Sequence, residues 1–540
     1  MLHAGLMMDR PLLISDVIEH AAGQFGDTEI VSLEADGSVF RYSYARCRMR
    51  ALQLANALAE CGLGAGASIG SIALNNHRHL EAYYAVSGSG MIIHTCNPRL
   101  HISQLVYIIN HADDRAVLFD PSYAPLIENI AAECPGVRHW ICLTGAENMP
   151  NLDVPRAVLC YEEFIGSHSA QFSWPQFDER TAAALCYTSG TTGNPKGALY
   201  SNRSIVLNAL SACLPGLISL SPKDTILPAV PMFHVNGWCV PYAAPIGGAK
   251  IVLPGHRMDA VSLYELLEGE QVTVTAGVPT IWIALMRHIE RGKLPLTSLK
   301  RILVGGSAMP ESLIAKFDQE FGIEVRQAWG MTETVAIATM SCLNSLQNEM
   351  PAAARHAAMA KQGKSVFGVE IKVVDEAGTT IPRDGTSQGQ VMVRGQWTVS
   401  GYYKAEEPVL IDGWLPTGDI ATIDAQGTLQ IRDRAKDLIK TGGEWISSID
   451  LEGVAMAHPA VAMAAVVGVR HPKWEERPLL FIVRKPDSSV EGDEILVFLA
   501  ERVAKWWIPD AVIFLDTLPV GGTGKVQKAA LREQYANHLC

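Results

Sequence analysis

The stretch Tyr187-Thr188-Ser189-Gly190-Thr191-Thr192-Gly193-Asn194-Pro195-Lys196-Gly197 decides how the rest of this chain is read. An apolar run, Ala182 to Cys186, leads into it. Its glycines let the backbone approach an anion closely, and its hydroxyls and N–H groups can cradle phosphate oxygens. Lys196 adds a point charge. Thr188, Ser189, Gly190, Thr191, Thr192 and Lys196 are therefore the candidate polyphosphate ligands. Two familiar phosphate loops do not fit. A Walker A loop needs Gly-x-x-x-x-Gly-Lys then Ser or Thr; counted from Gly190, the sixth residue is Pro195, and Gly524-Lys525 is preceded by Pro519 and followed by Val526. The nearest approach to a dinucleotide fingerprint, Gly62 to Ala67, follows a helix-like stretch rather than a strand, and reads as a turn.

The 540 residues suffice for several domains with large cores, and apolar content of 48% with 19% charged residues is that of a soluble globular chain. A net charge of −12 argues against a general nucleic-acid surface. Anionic ligands would need locally positive sites, which a divalent metal would reinforce. The eleven cysteines are scattered without a Cys-x-x-Cys pair, which suggests neither zinc nor disulfides and fits a reducing cytoplasm. Met1 to Leu13 lacks the features of a signal peptide, and no apolar run reaches the length of a membrane span.

Strand-like and helix-like segments alternate through the first four fifths. Lys300 to Val304 reads as a buried strand, Gly305-Gly306-Ser307 turns it, and Pro310 opens a helix with Leu313, Ile314, Phe317 and Phe321 on one face. Such β-loop-α units imply α/β layers. From about Gly385 short strands take over, with a hairpin around Asp424 to Gly427. The last hundred residues read as a separate α+β unit. It has a helix over Ile449 to Ala457, strands over Val461 to Val469 and Leu479 to Val483, a helix over Ile495 to Trp507, and a last strand over Ala511 to Leu515. The expected fold class is multidomain α/β: a large N-terminal domain of layered subdomains over 1–433 and a small mobile C-terminal domain over 434–540.

The Tyr187 to Gly197 loop resembles the phosphate-binding signature of the adenylate-forming superfamily, which includes acyl-CoA synthetases, peptide-synthetase adenylation domains and luciferases. The resemblance recurs in the family's order along nearly the whole chain. It implies attack of a carboxylate on the α-phosphate of ATP, giving acyl-AMP and pyrophosphate, and then transfer of the acyl group to CoA. Ala328-Trp329-Gly330-Met331-Thr332-Glu333 resembles the second core motif, with Thr332 at phosphate and Glu333 holding Mg²⁺, a hard cation suited to oxygen ligands such as these and Thr188. Thr417-Gly418-Asp419 resembles the ribose motif, Asp433-Arg434 the motif after it, and Gly305-Gly306-Ser307 the strand end beside adenine. A nucleophilic Ser307 is not indicated, since position 309 is Met and no partner His or acid follows. Leu518 to Val526 resembles the C-terminal catalytic loop, with Lys525 meeting charge at the α-phosphate; Gly521 stands where many members have Thr or Ser. Lys436 matches the hinge, and Gly442, Gly443 and Glu444 resemble the face that lines the pantetheine channel.

Pro231 to Trp238 reads as a strand-like segment ending in an aromatic. His234 stands where adenylation domains for amino acids place Asp, so a free amino acid is not expected. Trp238 matches a pocket or gate tryptophan of fatty acyl-CoA synthetases, and Gly305, His234 and Trp238 are the candidate acid contacts. The whole is similar to medium- and long-chain fatty acyl-CoA synthetases, and especially to bacterial 3-methylmercaptopropionate ligases of dimethylsulfoniopropionate breakdown. The expected substrates are that thioether acid or a short- or medium-chain fatty acid, with ATP, Mg²⁺ and CoA. Rival readings are an enzyme loading a carrier protein, a nucleotide-binding regulator without turnover, and a luciferase-like oxidase. Dimers are common in the family, so a homodimer is compatible with the resemblance; no residue here indicates one.

Overall fold

The computed structural model describes residues 5–188, 194–441, 444–486, 488–521 and 525–539, with Glu444 described in its backbone alone. Two large sheets dominate. One runs, among the described residues, in the order Lys364–Ser365, Thr339–Met340, Glu324–Trp329, Arg301–Val304, Val274–Gly277, Thr225–Pro228, Lys250–Leu253, Glu29–Leu33, Val39–Ser43. The other runs Val158–Cys160, His139–Cys142, Asp114–Phe119, Ser68–Ile72, Ile92–Thr95, Ala182–Tyr187, Gly197–Ser201. Their inner strands pair parallel, and the antiparallel pairs sit toward the edges.

Parallel strands need covered faces on both sides. The helices Ile14–Gln24, Tyr44–Glu60, His77–Gly88, Asn202–Cys213 and Val240–Gly247 share one apolar core with strands of both sheets, so they fill the space between them. Ala260–Gly269, Pro279–Gly292 and Glu311–Phe321 cover the outer face of the first sheet, and Ile102–Ala112 with Ala124–Ile130 covers that of the second. Burial on both faces explains why these strands read as apolar runs such as Ile302-Leu303-Val304, without alternation. Pro310 is the N-cap of Glu311–Phe321 rather than its first helical residue.

A four-stranded antiparallel sheet follows, Val369–Val374, Gly389–Gly395, Leu415–Ile423 and Leu429–Arg434. It begins at Val369, earlier than the change of pattern near Gly385 suggests. The last sheet takes Glu444–Ile446, Ile439–Thr441, Glu475–Arg484 and Val461–His471, with Ala511–Phe514 parallel to Glu475–Arg484. The helix expected over Ile495 to Trp507 is shorter: Gly492–Ala500 is helical, and a 3-10 turn, Lys505–Trp507, stands apart from it. The apolar spacing there continues across two elements that pack on the same core. No helix among the described residues is long and apolar enough to cross a membrane.

The strand Val274–Gly277 carries a loop of the central cleft, and fully buried Trp282 props it, with Nε1 donating to the Gly277 carbonyl at 3.3 Å. Trp282→Ala is expected to cost about 3–5 kcal/mol of stability. Thermal unfolding read by circular dichroism checks it; an unchanged midpoint would show that the indole is dispensable.

Candidate active site

One cleft of about 1660 Å³ draws its walls from strand ends of both large sheets and from the C-terminal lobe. Val278, Gly305-Gly306-Ser307 and Ala328 to Glu333 follow or close parallel strands of the first sheet; Asn97 and Thr188 follow strands of the second. Ligands bind in such sheets outside the carboxyl ends of the strands, where the loops are free to diverge. Its size exceeds the roughly 300–1,000 Å³ of a single small-molecule pocket, which leaves room for a nucleotide together with a second substrate.

Of the residues expected from sequence, Thr188, His234, Trp238, Gly305, Gly306, Ser307, Ala328, Trp329, Gly330, Met331, Thr332, Glu333, Asp419, Arg434, Lys436 and Lys525 all face this cleft. Lys196 does not line it; its ammonium sits over the Tyr402 ring, 5.1 Å from the centroid. Thr188 N donates to Lys196 O at 2.9 Å, which closes the neck of the phosphate loop. Ser189, Gly190, Thr191, Thr192, Gly442, Gly443 and the Glu444 side chain lie outside the described residues.

Asp419 is buried, and both carboxylate oxygens are engaged: Trp329 Nε1 donates to Oδ2 at 2.9 Å and Arg434 Nε pairs with Oδ1 at 2.9 Å. A carboxylate offers about four lone-pair sites, so two remain for a diol. Burial pushes the Asp419 carboxyl up, against the pull of Arg434. Lys525 reaches the same spot from the C-terminal lobe. Burial, then the charge of Arg434, lowers its ammonium to about 8, with Asp419 opposing. The lysine stem passes over Gly306, where a Cβ would lie 2.8 Å from Lys525 Cε; the residue also has φ +84, so glycine is needed twice over.

Glu333 is 5% exposed, and among the described residues it has no cationic partner. Tyr402 Oη donates to its Oε1 at 2.5 Å. A buried carboxylate without an ion-pair partner among the described residues, lining the same cleft as Thr188 and Thr332, is a donor set that fits a hard divalent cation. The sequence offered no cue for Tyr402, because only the fold carries residues 399–404 across to Glu333. A second cluster, His94, Cys96 and Asp114, has its ligand atoms within 4.8 Å of one another. There Asp114 already accepts from Ser68 Oγ at 2.6 Å and pairs with His94 Nδ1 at 2.8 Å, a self-contained polar network inside the second sheet.

Pro231 to Trp238 is not a strand. It is a turn in which Val235, Asn236, Gly237, Trp238 and Cys239 all have positive φ, from 39 to 67. Such backbone costs about 1–2 kcal/mol per residue outside glycine. Surrounding bonds hold it: Asn236 Nδ2 donates to Thr95 Oγ1 at 3.1 Å, Met232 N to Asn75 Oδ1 at 2.7 Å, and Tyr83 Oη to Met232 O at 2.5 Å. The turn swings the Trp238 indole onto Gly305, where a Cβ would meet the ring at 2.8 Å. Burial, and then Lys525, lowers His234 to about 4, so it faces the cleft as a neutral imidazole at pH 7.

The C-terminal lobe is bonded in place beside the cleft. Ser447 Oγ donates to Arg432 O at 2.5 Å, Ser448 N to Asp433 Oδ2 at 2.6 Å, and Arg432 pairs with Asp450 at 3.3 Å. Three residues beyond Lys525, Lys528 pairs with Glu452 at 2.8 Å. The hairpin of Ile439–Thr441 and Glu444–Ile446 lies off the cleft, with Trp445 46% exposed.

Residues 18–403 match the family of AMP-binding enzymes, and 450–525 match the AMP-binding enzyme C-terminal domain. The chain is 46% identical over 536 residues to the 3-methylmercaptopropionyl-CoA ligase of Ruegeria lacuscaerulensis, covering 99% of each. It is 45% identical to the medium-chain-fatty-acid–CoA ligase of Ectopseudomonas oleovorans, covering 99% of this chain and 98% of that one. The solved anthranilate CoA ligase AuaEII, in complex with anthranoyl-AMP, superposes with a TM-score of 0.87 at 24% identity over 98% of both chains, a likeness of fold. The chain belongs to the AMP-binding enzyme family. Its reaction class is that of the AMP-forming acid–thiol ligases, with ATP, Mg²⁺ and CoA as reactants and metal.

Lys525 with a pKa near 8 is a cation at pH 7 and loses its charge as pH rises through 8. Wild-type kcat/KM for ATP in pyrophosphate release should therefore fall on the alkaline side with an apparent pKa near 8. Lys525→Arg, which keeps its charge at every accessible pH, should lose that limb. A limb unaltered by the substitution would assign it to another group.

Proposed function

We propose that this protein converts short- and medium-chain carboxylic acids, 3-methylmercaptopropionate among them, to CoA thioesters through an acyl-adenylate. The observation that carries the reading is the convergence of Lys525, Asp419, Arg434 and Glu333 on one cleft from two lobes. Asp419 and Arg434 take the ribose, Gly305 to Ser307 and Trp329 the adenine, and Thr188 and Thr332 the polyphosphate tail, with Lys196 as a counter-charge set back over the Tyr402 ring. Glu333, with Thr188, would hold Mg²⁺, which supplies charge neutralisation to the polyphosphate when bound.

The acid carboxylate attacks the α-phosphorus. A new carboxylate O–P bond forms, the bond from the α-phosphorus to the bridging oxygen breaks, and pyrophosphate leaves. Negative charge at the α-phosphate then faces the Lys525 ammonium. Unit charges about 4 Å apart gain roughly 4 kcal/mol at an effective dielectric near 20. The neutral His234 and the Trp238 indole border the acid. They add no charge to pair with an amine, and they leave an apolar wall for a thioether or alkyl tail. Thioester formation requires a thiol sulfur to attack the acyl carbon, AMP to leave, and the thiol proton to pass to solvent.

The lobe arrangement suits the first half-reaction, since Lys525 lines the cleft and the described hairpin residues Lys440, Thr441 and Trp445 do not. We assign 1–433 and 434–540 as the two bodies that rearrange between steps, with Lys436, exposed between the last strand of one sheet and the first of the next, as pivot. We place the reaction in the cytoplasm, which the ten free cysteines among the described residues support.

CoA-dependent AMP release across thioether, straight-chain and aromatic acids tests the substrate class; release with aromatic acids alone would refute it. Lys525→Ala should slow acyl-AMP formation about 10²–10³-fold and largely spare thioester formation from supplied acyl-AMP. Equal loss in both half-reactions would remove Lys525 from the α-phosphate. Trp238→Ala should change the ranking of acids by about 1–3 kcal/mol in relative kcat/KM; a uniform loss would make Trp238 a packing residue.

A further inference from the structure

The segment from Val399 to Lys404 touches Glu333 and, on the far side of the phosphate loop, Lys196 and Gly197. Val399 N donates to the Glu333 carbonyl at 2.9 Å, and Tyr402 Oη donates to the Glu333 carboxylate at 2.5 Å. Lys196 Nζ stands 5.1 Å from the centroid of the same Tyr402 ring. Tyr403 N donates to Gly197 O at 2.8 Å, and Lys404 Nζ donates to His111 O at 2.8 Å. One short stretch thus ties the turn bearing Glu333 to the outgoing strand of the phosphate loop.

Tyr402 is the center of that tie, because its two ends act on two different groups. The hydroxyl holds Oε1 of Glu333, which leaves Oε2 as the carboxylate oxygen without a protein partner among the described residues. The π face holds the Lys196 ammonium, a contact that rings make with cations within about 6 Å. A glutamate side chain left without this bond rotates about its terminal torsion at small cost, and the lysine would be free on its long stem.

Resting on the reading of Glu333 as the metal ligand, we propose that Tyr402 is a positioning residue of the polyphosphate–metal site. Its phenol selects which Glu333 oxygen faces the cation, and its ring holds Lys196 in register with it. The tyrosine touches neither reacting atom; it acts through the two side chains that do the binding.

The test is binding of Mn²⁺ together with α,β-methylene-ATP, followed by electron paramagnetic resonance, in the wild type and in Tyr402→Phe, Glu333→Gln and the double variant. Tyr402→Phe keeps the ring and removes one hydrogen bond to a charged group. It should weaken Mn²⁺ binding about tenfold with an unchanged thermal midpoint. In the Glu333→Gln background the same change should have no further effect. Tyr402→Leu, which also removes the ring, should in addition weaken the nucleotide at saturating metal. Wild-type Mn²⁺ affinity in Tyr402→Phe overturns the proposal. So does a loss of equal size with and without Glu333, or a fall in thermal midpoint with no change in metal affinity. A wild-type protein that holds no metal–nucleotide pair would instead defeat the ligase reading itself, and this inference with it.

Discussion

A lysine ammonium brought out of water needs a counter-charge, and Lys525 shares its nearest one. Asp419 is already paired with Arg434 at 2.9 Å and accepts from Trp329. Protein groups alone therefore leave a surplus of positive charge at this point, in a chain whose net charge is −12. Burial first, and the charge of Arg434 second, hold the Lys525 ammonium below the usual lysine range. A phosphate entering beside Lys525 would offset that charge, which supports the proposed place of the α-phosphate. Lys525 comes to this point from the C-terminal lobe, separate from the sheets that carry Asp419 and Glu333.

That separation constrains everything around it. The phosphate-side groups are fixed by parallel strands whose carboxyl ends meet at the cleft from two sheets, and those strands are rigid because helices cover both faces of each. The lysine, by contrast, is held through contacts with the chain around the sheet change. Ser447 and Ser448 bond to Arg432 and Asp433, Arg432 pairs with Asp450 at 3.3 Å, and, away from that point, Arg287 Nη2 donates to Ala462 O at 2.6 Å. These contacts, among the described residues, are polar. Hydrogen bonds exchange with water at a net value of about 1 kcal/mol each, which supports the proposed rearrangement of the two bodies.

Local sequence made much of the site readable. Asp419, Thr332 and Gly306 were singled out by the likeness of their motifs, taken in order, to those of the family, and the fold brings all three to one cleft. The α/β layering was legible because each β-loop-α unit is short and closes on itself. The failures share a cause. Pro231 to Trp238 has the apolar and aromatic content of a strand, but Asn75, Thr95 and Tyr83 bend it into five successive positive-φ residues. The spacing after Ile495 runs on past Ala500 because two elements share one core face.

Amino-acid order alone thus marked residues that the fold gathers at one cleft, the layered class of the large domain and the small α+β unit at the C-terminus. Each rests on contacts within about ten residues, where bonding geometry leaves little choice. Tertiary folding settled the rest: the partnership of Tyr402 with Glu333 and Lys196, the seating of Trp238 on Gly305, and the side of the cleft from which Lys525 enters. Those pairings join residues 67 to 219 positions apart. No local pattern encodes them, because the free energy that selects them belongs to the packing of whole layers.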